Sequence, residues 1–216
     1  MKNINIIFAI IVLISLTGYA SAISEVSLIV PAQRINEGDT FDIKIYIDPK
    51  GSDMSGAQAN LLFNKSIIRV NRVSEGNLFS QYGANTYFFI TKIDNQVGAV
   101  YNIVDVILGR YNISTPATFV TVNVTAVGTG SANFNLSNVK IASPEAQPVP
   151  LYTVNQSVNS YSISDINGDW TTDLMDIVSV SQHFGETTSY PYPSCDVNRD
   201  RAVDILDIIL VARNII

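Results

Sequence analysis

Near the end of the chain, oxygen-bearing side chains recur at a spacing suited to one kind of chemistry, the capture of a hard divalent cation. Asp165, Asn167, Asp169, Asp173 and Asp176 occupy positions 1, 3, 5, 9 and 12 of one stretch, and Asp196, Asn198, Asp200, Asp204 and Asp207 occupy the same positions 31 residues later. Position 7, Thr171 in the first copy and Ala202 in the second, is placed to offer its main-chain carbonyl. Calcium takes six to eight oxygen ligands at about 2.3 to 2.6 Å. A tightly wound loop turns alternate early residues inward, and the start of a helix returns position 12 to the metal. Two ions are therefore expected, one in each loop.

Each stretch carries four carboxylates. At about 6 Å and an effective dielectric near 20, each pair of them repels by roughly 3 kcal/mol, so an isolated loop is electrostatically unfavourable. Metal entry reverses that sign and couples binding to folding. The competing reading, two acidic solvated loops, does not explain matched register in both copies, each followed by an apolar helical pattern. Position 6 is the weak point. The turn there favours positive φ and hence Gly, yet the residues are Trp170 and Arg201, at an expected cost of about 1 kcal/mol each.

The elements that position these loops are short helices, predicted over Leu174 to Phe184, closed by Gly185, and over Ile205 to Ile215. Leu174, Ile177, Val178 and Ser181 form one helical stripe, matched by Ile205, Ile208, Ile209 and Ala212, and much of it is expected to be mutual core.

Upstream the pattern changes from a helical period to alternation. Phe41 to Ile47 alternates apolar and mostly polar side chains after the turn at Glu37-Gly38-Asp39, as a strand with one buried face must. The same reading covers Val26 to Val30, Ala57 to Phe63, Ile67 to Val73, Thr86 to Thr91, Ala99 to Leu108, Thr118 to Val127, Ala132 to Leu136 and Val158 to Ile163. About nine short strands with no helical period among them predict a mainly β protein, an antiparallel jelly-roll β-sandwich, followed by a small all-α calcium module.

Specific words sharpen both halves. Glu37-Gly38-Asp39-Thr40-Phe41, then Ser55-Gly56-Ala57-Gln58-Ala59-Asn60-Leu61-Leu62-Phe63, then Val73-Ser74-Glu75-Gly76-Asn77-Leu78-Phe79 resemble, in this order, the cohesin module. The match departs at Phe63-Asn64-Lys65-Ser66, where cohesins usually show Tyr-Asp-Pro-Ser. Asp at position 12 rather than Glu, with one helix after each loop, resembles the dockerin family rather than a full EF-hand with an entering helix. The resemblance implies the ligand set above. It also implies partner-reading side chains at positions 10 and 11, here Leu174, Met175, Ile205 and Leu206, and further along the helices at Ser181, Gln182, Ala212 and Arg213. All four residues at positions 10 and 11 are apolar, which leaves two readings open, core or hydrophobic docking face. The implied function is non-catalytic assembly, with a cohesin or dockerin module of another protein as partner and self-association left open. The alternative is a polysaccharide-binding sandwich attached to a scaffold by its dockerin, with Tyr82, Tyr87, Phe88, Phe89 and Tyr101 as candidate contacts.

Met1 to Ala22 has Lys2, an apolar run from Ile4 to Leu16 and the small triplet Ala20-Ser21-Ala22, the three parts of a secretory signal peptide cleaved after Ala22. Three segments are therefore expected: 1–22 as leader, 23–163 as sandwich and 164–216 as dockerin. The mature protein is expected outside the cell or at its surface, with no membrane span after cleavage. Asn64, Asn112, Asn123, Asn135 and Asn155 each begin an Asn-x-Ser/Thr triplet and are glycosylation candidates.

From residue 165 onward there are 9 acidic and 3 basic residues, against 10 and 9 from 23 to 164, and no basic patch invites nucleic acid. Catalysis finds no constellation. His183 is the only histidine and lies among the helical segments, no Gly-x-Ser-x-Gly elbow exists, and the single Cys195 cannot form an internal disulfide.

Overall fold

The computed structural model describes residues 23–31, 34–190 and 193–215; the expected leader lies outside them. The strands are β1 (Ser24–Ile29), β2 (Ile35–Asn36), β3 (Thr40–Asp48), β4 (Gly56–Phe63), β5 (Ile68–Glu75), β6 (Thr86–Phe89), β7 (Lys92–Asp94), β8 (Ala99–Ile107), β9 (Ala117–Ala126), β10 (Gly130–Ala142), β11 (Leu151–Val154) and β12 (Gln156–Tyr161). Two helices follow, α1 (Leu174–Ser181) and α2 (Ile205–Ala212).

Alternation builds the sandwich. Phe41, Ile43, Ile45 and Ile47 of β3 point inward beside Val120, Val122 and Val124 of β9, and these two strands pair antiparallel at the centre of a sheet ordered β11-β1-β3-β9-β5. The facing sheet is ordered β2-β12-β10-β4-β8-β6, with β7 also paired to β8. Between them Phe79, Phe119 and Phe134 are fully buried, and the Phe79 and Phe119 rings meet edge to face with centroids 6.3 Å apart. The turn after β5 shows why Gly stands in the Val73 to Phe79 word: a Cβ on Gly76 would sit 2.0 Å from the carbonyl oxygen of Thr118. Gly76 and Leu78 donate their N–H groups to the carbonyls of Phe119 and Thr118, so the loop is sewn onto the edge of β9.

The mainly β sandwich matches the expectation, with two refinements. β2, β7 and β11 are too short to carry a readable alternation. The sheet edges are also not wholly antiparallel, since β11 runs parallel to β1 and β2 parallel to β12. The helices are shorter than expected, because His183 and Phe184 donate to Val180 and Ser181 three residues back, a tightening turn that ends at Gly185 with φ +88°.

The expected apolar stripe is corrected. The small helical module has its core at Ile166, Val180, Cys195, Val197, Val203 and Val211, with Ile177, Ile208 and Leu210 packed against it. Leu174, Val178 and Ser181 face solvent instead. The reason is the carboxylate at position 12. Asp176 and Asp207 are 0% exposed, and the residues one turn on, Val180 and Val211, share their face. Placing that aspartate inside sets the rotation of each helix.

Candidate functional site

Each loop is organised around its first and last aspartates. In the first, Asp165 accepts N–H donors from Gly168 at 2.7 Å, Asp169 at 3.2 Å and Trp170 at 3.0 Å. Asp176 accepts from Ile166 at 2.7 Å, Asn167 at 3.1 Å and Asp173 at 2.9 Å. The second loop repeats this: Asp207 accepts from Val197, Asn198 and Asp204, and Asp196 from Asp200 and Arg201. Position 9 serves twice, because Asp173 and Asp204 are also the N-caps of α1 and α2. Their carboxylates accept from Met175 and Leu206 at 2.7 Å, and with position 12 they complete a reciprocal capping box.

Positions 3 and 5 face each other. Asn167 donates to Asp169 at 2.9 Å and Asn198 to Asp200 at 2.8 Å. The Thr171 hydroxyl, then its backbone N–H and the Asn167 amide, hold the Asp169 carboxyl below its ordinary range. Trp170 and Arg201 adopt φ of 75° and 82°, the left-handed backbone that position 6 demands and that side chains disfavour.

Among the described residues no three carboxylate, imidazole or thiol groups converge as a ready-made metal cluster. The loop carboxylates rest on backbone N–H groups instead. The donor set nevertheless fits calcium. All the side-chain donors are hard oxygens, none of the loop aspartates is in a salt bridge among the described residues, and an ionised carboxylate with four acceptor positions keeps capacity beyond three N–H bonds. Asp165, Asn167, Asp169, Thr171, Asp173 and Asp176 would hold one ion and Asp196, Asn198, Asp200, Ala202, Asp204 and Asp207 the other.

The side chains at positions 10 and 11 resolve the alternative left open by sequence. Leu174 is 66% exposed, Met175 57%, Ile205 54% and Leu206 51%, so they form a surface and not a core. Ser181, Gln182, Ala212 and Arg213 are exposed as well. A family model for the Cohesin domain matches residues 26–160, and one for the Dockerin type I domain matches residues 163–216.

The chain belongs to the cohesin family.

Its dockerin is of a kind that binds calcium, and both modules serve protein–protein assembly. The cohesin fold is shared with solved structures of low identity. A non-cellulosomal cohesin from the archaeon Archaeoglobus fulgidus is 17% identical with a TM-score of 0.52, over 65% of this chain and 93% of that one. A cohesin module from a Clostridium perfringens family 33 glycoside hydrolase is 14% identical with a TM-score of 0.53, over 64% and 96%. A type II cohesin from the Acetivibrio cellulolyticus cellulosome is 10% identical with a TM-score of 0.53, over 64% and 96%. A comparison with curated proteins gave no match.

Sequence reading missed the residues that brace the dockerin loops from outside. Thr188 bonds the Asp196 carboxylate through its hydroxyl, and the segment carrying it is stitched across the second loop by Gly185 to Val203, Val203 to Glu186 and Thr188 to Arg201. Ser194 donates to the Ile166 carbonyl at 3.3 Å, and Asn214 ties the end of the dockerin to Ser164 at 2.8 Å. Arg34, from the cohesin, reaches the first loop. None of these carries a local pattern that sequence alone could expose. His183 lies past the end of α1, half exposed, with Nδ1 3.1 Å from Glu186, a surface pair as its isolation suggested.

Cys195 is buried at 4% exposure in the dockerin core, and burial pushes its thiol above the ordinary value. Chelation of calcium from the full chain is expected to raise its alkylation rate by about tenfold or more, because the core that covers it depends on the loops. An equal rate with and without chelator would show that the core stands without metal.

Among the sequons, Asn64, Asn112, Asn135 and Asn155 are exposed on the cohesin. Asn123 differs: it is half-buried in a polar ladder, its amide donating to Asp42 at 2.7 Å and accepting from Asn71 at 3.1 Å, so its nitrogen is already engaged. Tyr82, Tyr87 and Phe89 are exposed, whereas Phe88 packs on the core and Tyr101 is half-buried.

Proposed function

We propose that the chain is an extracellular, non-catalytic assembly protein, released by cleavage after Ala22. Its dockerin, from Ser164 onward, folds on two calcium ions and docks a cohesin of another molecule, while its own cohesin offers a docking face in return. The observation that carries this is the exposure of Leu174, Met175, Ile205 and Leu206 immediately after the two loops, where metal-ordered helices hold four large apolar side chains in water. Solved relatives with TM-scores above 0.5 include cohesins captured as cohesin–dockerin complexes, among them a type II cohesin-X-dockerin complex from Acetivibrio cellulolyticus. No helix among the described residues is long and apolar enough to cross a membrane.

The alternative reading, polysaccharide binding by the sandwich, draws on the exposed Tyr87 and Phe89 of β6. Their rings lie 5.7 Å apart but tilted by 46°, which does not make the flat strip a glycan chain needs. The glycosylation candidates that accord with an extracellular surface are Asn64, Asn112, Asn135 and Asn155.

The test is capture of the full chain on immobilised cohesin modules and on a second copy of itself, in calcium and in chelator, with insoluble cellulose and chitin as a parallel arm. Calcium-dependent capture by a cohesin, abolished in Leu174→Asp/Leu206→Asp, supports assembly. Capture by the second copy identifies self-association. Retention on glycan regardless of calcium, with no cohesin bound, sinks the proposal in favour of the alternative.

A further inference from the structure

The two loops differ in what lies against them. Tyr161, the last residue of β12, packs its ring on the indole of Trp170 with centroids 4.6 Å apart and planes 30° from parallel. The guanidinium of Arg34 sits 4.4 Å from the centre of the same tyrosine ring. From there Arg34 donates to the carbonyls of Asp165 and Ile166, at 3.3 Å for the latter, while its Nε is held by Asn36 at 3.0 Å. Gly168 is the residue that lets it in, since a Cβ there would meet Arg34 Nη1 at 3.0 Å.

The second loop has none of this. Position 4 is Arg199 in place of Gly168, and its side chain forms an ion pair with Asp39 of the cohesin at 2.6 Å, a contact that leaves the loop backbone unbraced. Position 6 is Arg201, and among the described residues it has no ring contact.

We propose that the cohesin sets the calcium affinity of the first dockerin loop, with Tyr161 and Arg34 acting as positioning residues that hold Trp170 and the Asp165–Ile166 backbone in the turn the metal requires. This rests on the calcium reading above. Trp170 must sit at φ 75°, a conformation that costs a large side chain about what the missing glycine would have saved. From that conformation its N–H reaches the Asp165 carboxylate at 3.0 Å. Stacking of the indole on Tyr161 offsets the strain, and the offset exists only when the loop has the wound shape. Arg34 bonds to carbonyl oxygens, so it fixes the backbone without occupying the side-chain oxygens the ion needs. By linkage, calcium in the first loop also tightens the dockerin against its own cohesin.

The experiment is a calorimetric calcium titration of the full chain, read in parallel by emission of Trp170, the only tryptophan and therefore a reporter of the first loop. In Tyr161→Ala, one of two sites is expected to weaken about fivefold to tenfold, and the emission titration shifts with it. Arg34→Ala, which touches no strand pairing, is expected to weaken the same site, and Tyr161→Phe, which keeps the ring, to retain wild-type affinity at both. Equal weakening of both sites, or none, in Tyr161→Ala and Arg34→Ala would overturn the proposal while leaving the calcium reading intact. Absence of any calcium uptake by the wild type would overturn both.

Discussion

Replacing Asp176 with alanine is expected to remove one calcium site and unfold the dockerin while the cohesin stays folded. Asp176 is fully buried and accepts three backbone N–H groups, so its loss strands three donors at about 1 to 3 kcal/mol each, roughly 3 to 9 kcal/mol together. A module of roughly 50 residues holds a total stability of only about 3 to 8 kcal/mol, so the hydrogen-bond loss alone is comparable to everything the fold has, before the missing metal ligand is counted. Calorimetry should then show at most one ion bound, with far-UV dichroism losing its helical component. Asp176→Asn, which keeps one acceptor oxygen for Ile166 and Asn167, is expected to fall between the two. Asp207→Ala should behave as Asp176→Ala does, because Asp207 makes the equivalent three bonds to Val197, Asn198 and Asp204. A helical, two-ion Asp176→Ala protein would remove the basis for assigning position 12.

The second large effect lies in the cohesin. Asp105 on β8 is 1% exposed, and neither carboxylate oxygen has a hydrogen-bond partner among the described residues. Desolvation, and then the nearby negative charge of Glu75, push its pKa up to about 7 from an ordinary 3.8. The folded protein thus holds a proton that the unfolded chain releases near 3.8. The stabilisation is complete below that value and is lost as pH rises through about 7, by up to about 4 kcal/mol from the shift. In saturating calcium, the cohesin's melting temperature is therefore expected to fall between about pH 4 and 7 and to level off above that. Asp105→Asn should flatten that dependence and be the more stable protein at pH 8.5. A wild-type profile as flat as the variant's would show the carboxyl to be ionised or hydrated in the folded state.

Asp105 also marks where sequence reading stops. Residues 99 to 108 read as a strand, and Ile103 and Ile107, two residues to either side, put the carboxyl on their own buried face, but alternation does not say whether a polar partner meets it there. The calcium loops were legible because their information is local, five oxygen-bearing residues in 12, repeated. The helix faces were not, because hydrophobicity put Val178 in an inward stripe and left Leu174 open between core and surface, whereas the demand for a buried Asp176 turned both outside, and the polar network outweighed the apolar stripe. Arg34 could not have been found at all, standing 131 residues from the carbonyl it braces. Trp170 and Arg201, by contrast, were visible as departures from Gly, and the structure gives one of the two departures a use.

The strand order separates the protein's two ends. β2 and β12, against which the dockerin rests, form one margin of the larger sheet, while β6 with its bare Tyr87 and Phe89 forms the other, four strand spacings or roughly 19 Å from β12. A molecule seated on the β6 margin would therefore leave the dockerin undisturbed on β2 and β12, so the two edges of this sheet are free to be occupied independently.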